Sequence, residues 1–100
     1  MPAVSRKGDS LSTGHLCVST TTLATPGQGT VFANKILIAR ITDPTVAHPF
    51  PPSPICANHT STVKTGSETV FVEKLKCARV ADSADLGALT SGSDNVNAGG

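Results

Sequence analysis

The sequence contains very few aromatic residues. Only three of its 100 residues are aromatic, all three are Phe, and Trp and Tyr are absent. A core without large rings has to be built from Val, Ile, Leu and Ala, and in a chain of this length it will be slender. Domains of this size often need a metal ion or disulfides as an additional cross-link.

The sequence also lacks a strong charge of either sign, a signal-peptide pattern and a long apolar run. The net charge is +1 with the two signs scattered, which argues against a nucleic-acid or anionic-lipid partner. Residues 1–10 are polar and charged, unlike a signal peptide, and no apolar run has the length of a membrane span. We therefore expect a soluble protein that is made in the cytoplasm.

Cysteine is scarce and odd in number. Three cysteines do not fit a complete intramolecular disulfide framework, which favours buried cysteines or metal ligands in a reducing compartment. Cys77 lies in a predicted strand where a related stretch has Ile38, and this favours core packing. Cys17 and Cys56 lie in predicted loops, and their roles stay open at this point.

Two stretches of the chain, residues 27–43 and 66–82, match each other at an offset of 39 residues. Gly, Thr, Val, Phe, Lys, Ala, Arg and Asp recur at corresponding positions in both. A fixed period of this size indicates stacked or pseudo-symmetric units. Each copy has the composition of two short strands with a polar turn, near Asn34-Lys35 in the first copy and Glu73-Lys74 in the second. The repeated unit is therefore predicted to be a β-hairpin.

The two ends of the chain resemble a third copy that has been cut open. The residues from Gly92 onward repeat the pattern of residues 66–70, and residues 5–9 resemble residues 78–82. Pairing residues 92–100 with residues 3–9 would close the molecule and cover strand edges. We predict one all-β domain over residues 1–100 with three hairpins and little or no helix. A duplication inside an ordinary β-sandwich is the alternative.

A proline-rich segment follows the first repeat. Four of the ten residues 45–54 are Pro, which fixes φ and removes backbone donors. We expect this segment to be stiff, extended and unable to join a β-ladder. The Thr-rich residues 18–23 are expected to form an irregular edge strand.

The three histidines form a candidate metal site. His15 and His48 each lie five or six residues after a repeated Asp, so three-fold closure would bring their loops together. His59 follows Cys56 in a Cys-x-x-His spacing, which allows two ligands to reach one ion. His15, His48, His59 and Cys56 make a chemically sensible tetrahedral zinc set, and four protein ligands would make the site structural. Solvated or hydrogen-bonded loop histidines are the alternative interpretation.

These motifs together resemble those of the PAAR-repeat family. They are an early Gly-Asp, a Thr-Gly-His, two Val-Phe units that each reach Ala-Arg-x-x-Asp, a proline-containing loop and a closing Gly-Ser-x-x-Val. The resemblance covers essentially the whole chain. It implies a small pointed cone with pseudo-three-fold symmetry on the end of a trimeric β-helical spike. It also implies a tip that holds zinc through three histidines and one cysteine, with His15, His48 and His59 at the histidine positions.

The chain departs from the family pattern at the fourth ligand. The family's Cys-Gly pair is replaced here by Leu86-Gly87. Cys56 is the expected substitute because it neighbours a histidine in sequence, and Cys17 is the second candidate. With histidine ligation alone, iron would be an alternative to zinc. The Gly of the Gly-Asp motif is also replaced in the internal copies, by Thr42 and Ala81.

In size the chain resembles the members of the family that belong to bacteriophage T4-type contractile tails. This resemblance implies a location in the virion, at the tip of the central tail spike. Such a tip would cap the trimeric β-helical spike protein of the baseplate, one tip per trimer, and sharpen it for penetration of the host outer membrane. A type VI secretion spike tip that also recruits effectors is the alternative. We expect no enzymatic activity, because no Glu lies near a histidine to act as a general base and no nucleophile-elbow motif is present.

Overall fold

The computed structural model describes residues 2–99, and this part of the chain contains strands and no helix. Each strand pairs with its neighbour in sequence, so the fold is built from five antiparallel hairpins. The all-β prediction is confirmed. Gly100, the last residue of the predicted third hairpin, lies outside the described residues, as does Met1. The strands are β1 (Ser10–Ser12), β2 (Thr20–Thr22), β3 (Phe32–Ala33), β4 (Ile36–Leu37), β5 (His48–Phe50), β6 (Ala57–His59), β7 (Phe71–Val72), β8 (Leu75–Lys76), β9 (Ser83–Ala84) and β10 (Gly87–Ala88).

The two repeated stretches form hairpins with the same turn. Asn34 and Lys35 join β3 to β4 with φ angles of 55° and 67°, and Glu73 and Lys74 join β7 to β8 with φ angles of 46° and 75°. Two consecutive left-handed residues are typical of a type I′ turn, whose twist matches that of the flanking strands. The predicted hairpins and the positions of their turns are confirmed.

The two ends of the chain pair with each other where a third hairpin would lie. Ala3 and Asn97 form an antiparallel bridge. The Val4 amide donates to the Val96 carbonyl at 3.0 Å. This is the pairing that the interpretation of an opened third copy requires. The equivalent hydrogen bonds in the two internal copies are Ile38 to Val31 and Cys77 to Val70.

Three backbone hydrogen bonds form a closed cycle at the centre of the molecule. The Ser5 amide donates to the Ala78 carbonyl, the Ala78 amide donates to the Ala39 carbonyl, and the Ala39 amide donates to the Ser5 carbonyl, each at 3.0 Å. All three residues are completely buried. Only small side chains fit where three backbone segments meet this closely. The cycle relates the three copies by a pseudo-three-fold axis within one chain.

An Arg–Asp ion pair closes the turn that follows each member of this cycle. In every pair the Asp carboxylate accepts hydrogen bonds from the Arg side chain and from the Arg backbone amide, the latter at 2.7 to 2.9 Å. The three carboxylates therefore cap turns, which agrees with their equivalent positions in the repeat. The pairs are Arg6–Asp9, Arg40–Asp43 and Arg79–Asp82, with Nε to Oδ2 distances of 3.0, 3.2 and 2.9 Å.

The other three hairpins, β1–β2, β5–β6 and β9–β10, are joined side by side, and we call them the apical hairpins. Each is bridged to the next, so the set closes on itself. Closure pairs strand edges that would otherwise invite aggregation. A core of Val, Leu and Ala side chains fills the space between them. The closing bridges are Leu23–Thr45, Val63–Ala84 and Leu89–Leu11.

A second apolar cluster lies among the repeat hairpins, and Cys77 belongs to it. Cys77 is 1% exposed and packs with the repeat-equivalent residues Val4 and Ile38. Burial raises the pKa of its thiol to about 11. The prediction that Cys77 is a core residue is confirmed.

The proline-rich segment differs from its prediction. We expected it to stay out of any ladder, yet β5 pairs with β6 and places Pro49 opposite Asn58. In a two-stranded antiparallel ribbon, only every second residue of a strand directs its backbone N–H toward the partner strand. A proline is therefore tolerated at a position whose N–H would point away from the partner. The Thr-rich segment does form a strand, β2, as predicted.

Candidate metal centre

The apical hairpins bring four potential metal ligands together. His48 and His59 are direct cross-strand partners in β5–β6. His15 lies in the loop between β1 and β2. Asp85 lies in the turn between β9 and β10, with a left-handed φ of 55°. All three apical hairpins therefore contribute to one group, which we call the apical group.

The ligand atoms of the apical group have the spacing of a metal site. Asp85 Oδ2 lies 2.8 Å from His15 Nε2, 2.7 Å from His48 Nε2 and 3.6 Å from His59 Nε2. The three Nε2 atoms lie 2.8 to 3.3 Å from one another. Ligands around a tetrahedral zinc ion at its usual bond lengths are separated by about 3.3 Å. The apical group could therefore hold one metal ion.

The hydrogen bonds of two imidazoles support this interpretation. Nδ1 of His15 lies 2.9 Å from the Leu16 carbonyl, and Nδ1 of His48 lies 2.8 Å from the Val46 carbonyl. A carbonyl oxygen only accepts, so each Nδ1 carries a proton and a neutral ring presents the Nε2 lone pair. Both lone pairs then face the Asp85 carboxylate, which is also an acceptor. A cation bound between these atoms would pair with the two Nε2 lone pairs and with the Asp85 carboxylate.

The apical group is largely shielded from solvent. The side chains of His15, His48 and Asp85 are 2% to 3% exposed, and that of His59 is 26% exposed. Burial by itself raises the pKa of Asp85, but without a metal the Nε2 atoms of His48 and His15 can carry protons and donate to the carboxylate, which holds the pKa of Asp85 below its ordinary value; a bound metal would replace those protons. The group therefore offers an ionised carboxylate beside three imidazoles, a donor set that suits a divalent cation.

An aromatic ring covers part of the group. The Phe50 ring lies 4.7 Å from the His15 ring in an edge-to-face arrangement and 4.1 Å from the His59 ring, measured between centroids. Phe50 follows His48 by two residues in β5, so the same strand that supplies a ligand also supplies the cover. This packing restricts the orientation of both imidazoles.

A close approach of two loops brings His15 to Asp85. The Leu86 amide donates to the Thr13 carbonyl at 2.9 Å. Gly14, between Thr13 and His15, has a φ of 72°, and a Cβ added to it would collide with the Leu86 carbonyl. Only glycine satisfies both conditions. The backbone geometry at this position therefore requires the glycine of the Thr-Gly-His motif.

The structure corrects the prediction for the fourth ligand. Cys56 Sγ is bonded to Cys17 Sγ, with the two Cα atoms 5.9 Å apart. Neither residue has a free thiolate to offer a metal. The disulfide instead ties the loop of β1–β2 to the loop of β5–β6, and these are the two hairpins that carry the three histidines.

Asp85 takes the position that sequence reasoning gave to a cysteine. The sequence did contain a signal for it. The family resemblance places a ligand at Leu86, in the loop after the third repeated Asp, and Asp85 is the adjacent residue in that loop. A carboxylate in a tight turn is common without any ligand, so nothing else in the sequence distinguishes Asp85 as a candidate ligand.

Comparison with known proteins adds no identification. No family model matches the chain, and no curated protein matches it either.

Proposed function

We propose that this chain is a PAAR-type tip of a contractile-tail spike. In this role it caps a trimeric β-helical spike protein and sharpens that protein for penetration of the host outer membrane. The function depends on shape and rigidity and requires no chemistry on a substrate.

The observation that carries the proposal is the closed cycle of Ser5, Ala39 and Ala78. A homotrimer ends in three equivalent surfaces, and a single asymmetric chain cannot contact all three in the same way. A chain with three-fold pseudo-symmetry offers three similar surfaces at once. A three-fold partner would account for three-fold pseudo-symmetry within a chain of 100 residues.

The apical group supports a structural role. The described part of the molecule measures 40 × 24 × 21 Å, so it is elongated. We propose that His15, His48, His59 and Asp85 hold zinc and thereby cross-link the three apical hairpins. Structural zinc adds several kcal/mol to folding. Four protein ligands would leave no position for an activated water, which favours a cross-link over a catalytic site.

The repeat hairpins supply a surface for the spike. Phe32 and Phe71 occupy equivalent positions beside the two turns, and they are 53% and 54% exposed. Val70 and Ile36 nearby are also exposed. Exposed apolar groups of this kind mark interaction sites. We propose that this surface contacts the end of the β-helix.

The test is the stoichiometry of the complex. The purified chain is mixed with the trimeric β-helical spike protein encoded with it, and the molar mass is measured by light scattering after gel filtration. We expect one chain per trimer, and we expect Phe71→Asp to abolish the complex. Leu86→Asp, in an apical hairpin, is the matched control and should bind normally. Three chains per trimer, or no complex with the wild-type chain, would refute the proposal.

A further inference from the structure

Charge is distributed very unevenly along this chain. Of its 15 charged residues, only Lys64 and Asp85 lie between the repeat units, in residues 10–26, 44–65 and 83–91, and Lys64 lies five residues beyond the end of β6. The Asp85 side chain is 2% exposed. The apical hairpins themselves therefore present no charged Asp, Glu, Lys or Arg side chain to solvent, although charged residues are frequent in the rest of the chain.

The same region exposes three large apolar side chains, one from each apical hairpin. Leu16, Ile55 and Leu86 are 73%, 74% and 60% exposed. We call them the apical patch. They surpass the other exposed apolar residues of the described chain in exposed fraction.

Each member of the apical patch is adjacent in sequence to a candidate ligand of the apical group or to the disulfide beside it. Leu16 follows the ligand His15, and Leu86 follows the ligand Asp85. Ile55 precedes Cys56, whose disulfide to Cys17 ties it to the loop of Leu16. The hydrogen bond from the Leu86 amide to the Thr13 carbonyl joins the β9–β10 turn to the loop of Leu16. The patch is thus held together by the same contacts that assemble the candidate metal centre.

We propose that the apical patch is a lipid-contacting surface that inserts into the apolar region of a bilayer. Charged side chains are costly to place in hydrocarbon, whereas Leu and Ile are favourable there. An exposed apolar patch without any charged rim fits hydrocarbon better than it fits a polar protein surface, which would offer ion pairs at the rim. The inference rests on the proposed function for its biological setting, but the lipid contact can be measured on the isolated chain.

The contact should not depend on anionic lipid. All lysines and arginines lie outside the apical hairpins, so attraction to an anionic surface would turn the opposite side of the molecule toward the membrane. Insertion of the apical patch into neutral phosphatidylcholine should therefore be insensitive to salt. This orientation separates a hydrophobic contact from a general electrostatic one.

The absence of tryptophan makes a direct test possible, because a single introduced Trp is the only strong fluorophore. Leu86→Trp, in the metal-loaded full chain, is titrated with phosphatidylcholine vesicles. We expect a blue shift of the Trp emission and quenching by bromine atoms on the acyl chains. Phe71→Trp, on a repeat hairpin, is the matched control and should show neither effect. Unfolding temperatures of both variants establish that they are folded.

Further substitutions in the Leu86→Trp background test whether all three residues of the apical patch contribute to vesicle binding. Leu16→Ser and Ile55→Ser in the Leu86→Trp background should together weaken vesicle binding at least tenfold. An unchanged Leu86→Trp spectrum with vesicles would overturn the proposal, as would equal quenching of Phe71→Trp. A blue shift that depends on protein concentration without vesicles would assign the patch to a second copy and overturn it too. None of these results bears on spike stoichiometry, so the two proposals fail independently.

Discussion

Three residues that precede the repeated Asp residues share a left-handed backbone but not a residue type. The φ angles are 85° at Gly8, 73° at Thr42 and 79° at Ala81. L-residues with a Cβ lose roughly 1–2 kcal/mol in this conformation, and a β-branched residue is the least suited to it. Thr42 and Ala81 are both exposed, so their side chains offer little packing in return.

Thr42→Gly should therefore stabilise the protein. We expect the free energy of unfolding to rise by about 1 kcal/mol, since the relief of strain exceeds the added entropy of the unfolded chain. In a domain of this size that corresponds to an increase of roughly 4–8 °C in melting temperature. Gly8→Ala is the converse control: an added Cβ meets no atom within 4 Å, so its expected destabilisation is purely conformational. A lower melting temperature for Thr42→Gly would show that the argument is wrong.

The three cysteines should be distinguishable by thiol titration. At pH 8 without a reductant, the folded protein should show no reactive thiol. Cys17 and Cys56 are bonded to each other, and Cys77 is buried with its pKa raised to about 11. Denaturant alone should release one thiol per chain, and denaturant with a reductant should release three. Three thiols without the reductant would contradict the disulfide and return Cys56 to the candidate ligands.

At this scale the sequence was informative about some residues and misleading about others. His15 and His48 come together because each follows an equivalent repeated Asp, which is visible in the sequence, whereas His59 joins them as the cross-strand partner of His48. Cys17 and Cys56 could not be paired in advance, since pairing depends on how two distant loops approach each other. Asp85 is not predicted from the sequence because the resemblance implies a cysteine as the fourth ligand, and a carboxylate in a turn is common without a metal.

The apical hairpins are the elements that depend most on cross-links. Their strands are two or three residues long, and their loops carry Gly, Pro, Ser and Thr with few core side chains. The disulfide joins two of these hairpins across 39 residues of chain. Closing a segment of this length restricts the unfolded state strongly.

The double variant Cys17→Ser/Cys56→Ser should lower the free energy of unfolding by about 2–4 kcal/mol. Cys77→Val, which places the residue type of the equivalent Val4 in the core, is the matched control and should change stability much less. Thermal unfolding followed by circular dichroism measures both. Equal losses for the two variants would mean that the disulfide contributes no specific restraint.

The strands of the repeat hairpins can be predicted from the sequence because the repeat is clear. The strands of two apical hairpins cannot, because their local sequences are compatible with either a strand or a loop. β3–β4 and β7–β8 follow from matched apolar positions and a two-residue polar turn. β5 was missed because proline usually disqualifies a strand. The exception at Pro49 depends on which side of the ribbon faces its partner, and the sequence does not state that register. β9–β10 has strands of only two residues each, which is too short to produce a periodic signal in the sequence.

The whole molecule is closed by contacts between its two ends. Val96 and Ala98 pack in the same cluster as Val4 and Cys77, and Ala98 donates its amide to the Pro2 carbonyl at 3.0 Å. The terminal segments thus complete the third copy of the repeat. The pseudo-symmetry suggested this arrangement from sequence, because half of the repeat pattern appears at each end.

Deletion of residues 92–100 should open the molecule. It removes the partner of Ala3 and exposes Val4 and Cys77, so we expect loss of a single cooperative unfolding transition and a reactive Cys77 thiol in the absence of denaturant. Calorimetry and thiol titration report these changes. The conservative variant Ser93→Ala, which removes only the side chain that caps the Asn95 and Val96 amides, should keep the transition with a lower midpoint. A truncated chain that unfolds as cooperatively as the full one would contradict closure through the termini.

The most direct test of the account is metal content measured together with melting temperature, for zinc-loaded wild-type protein and for Asp85→Ala, His48→Ala and Cys17→Ser/Cys56→Ser. We predict about one zinc per chain in the wild type and in the cysteine variant. We predict loss of zinc in the Asp85 and His48 variants, with a fall in melting temperature that chelation of the wild type reproduces. Zinc that survives Asp85→Ala, or a wild-type chain that takes up no metal, would contradict a closed structural site at the apical hairpins.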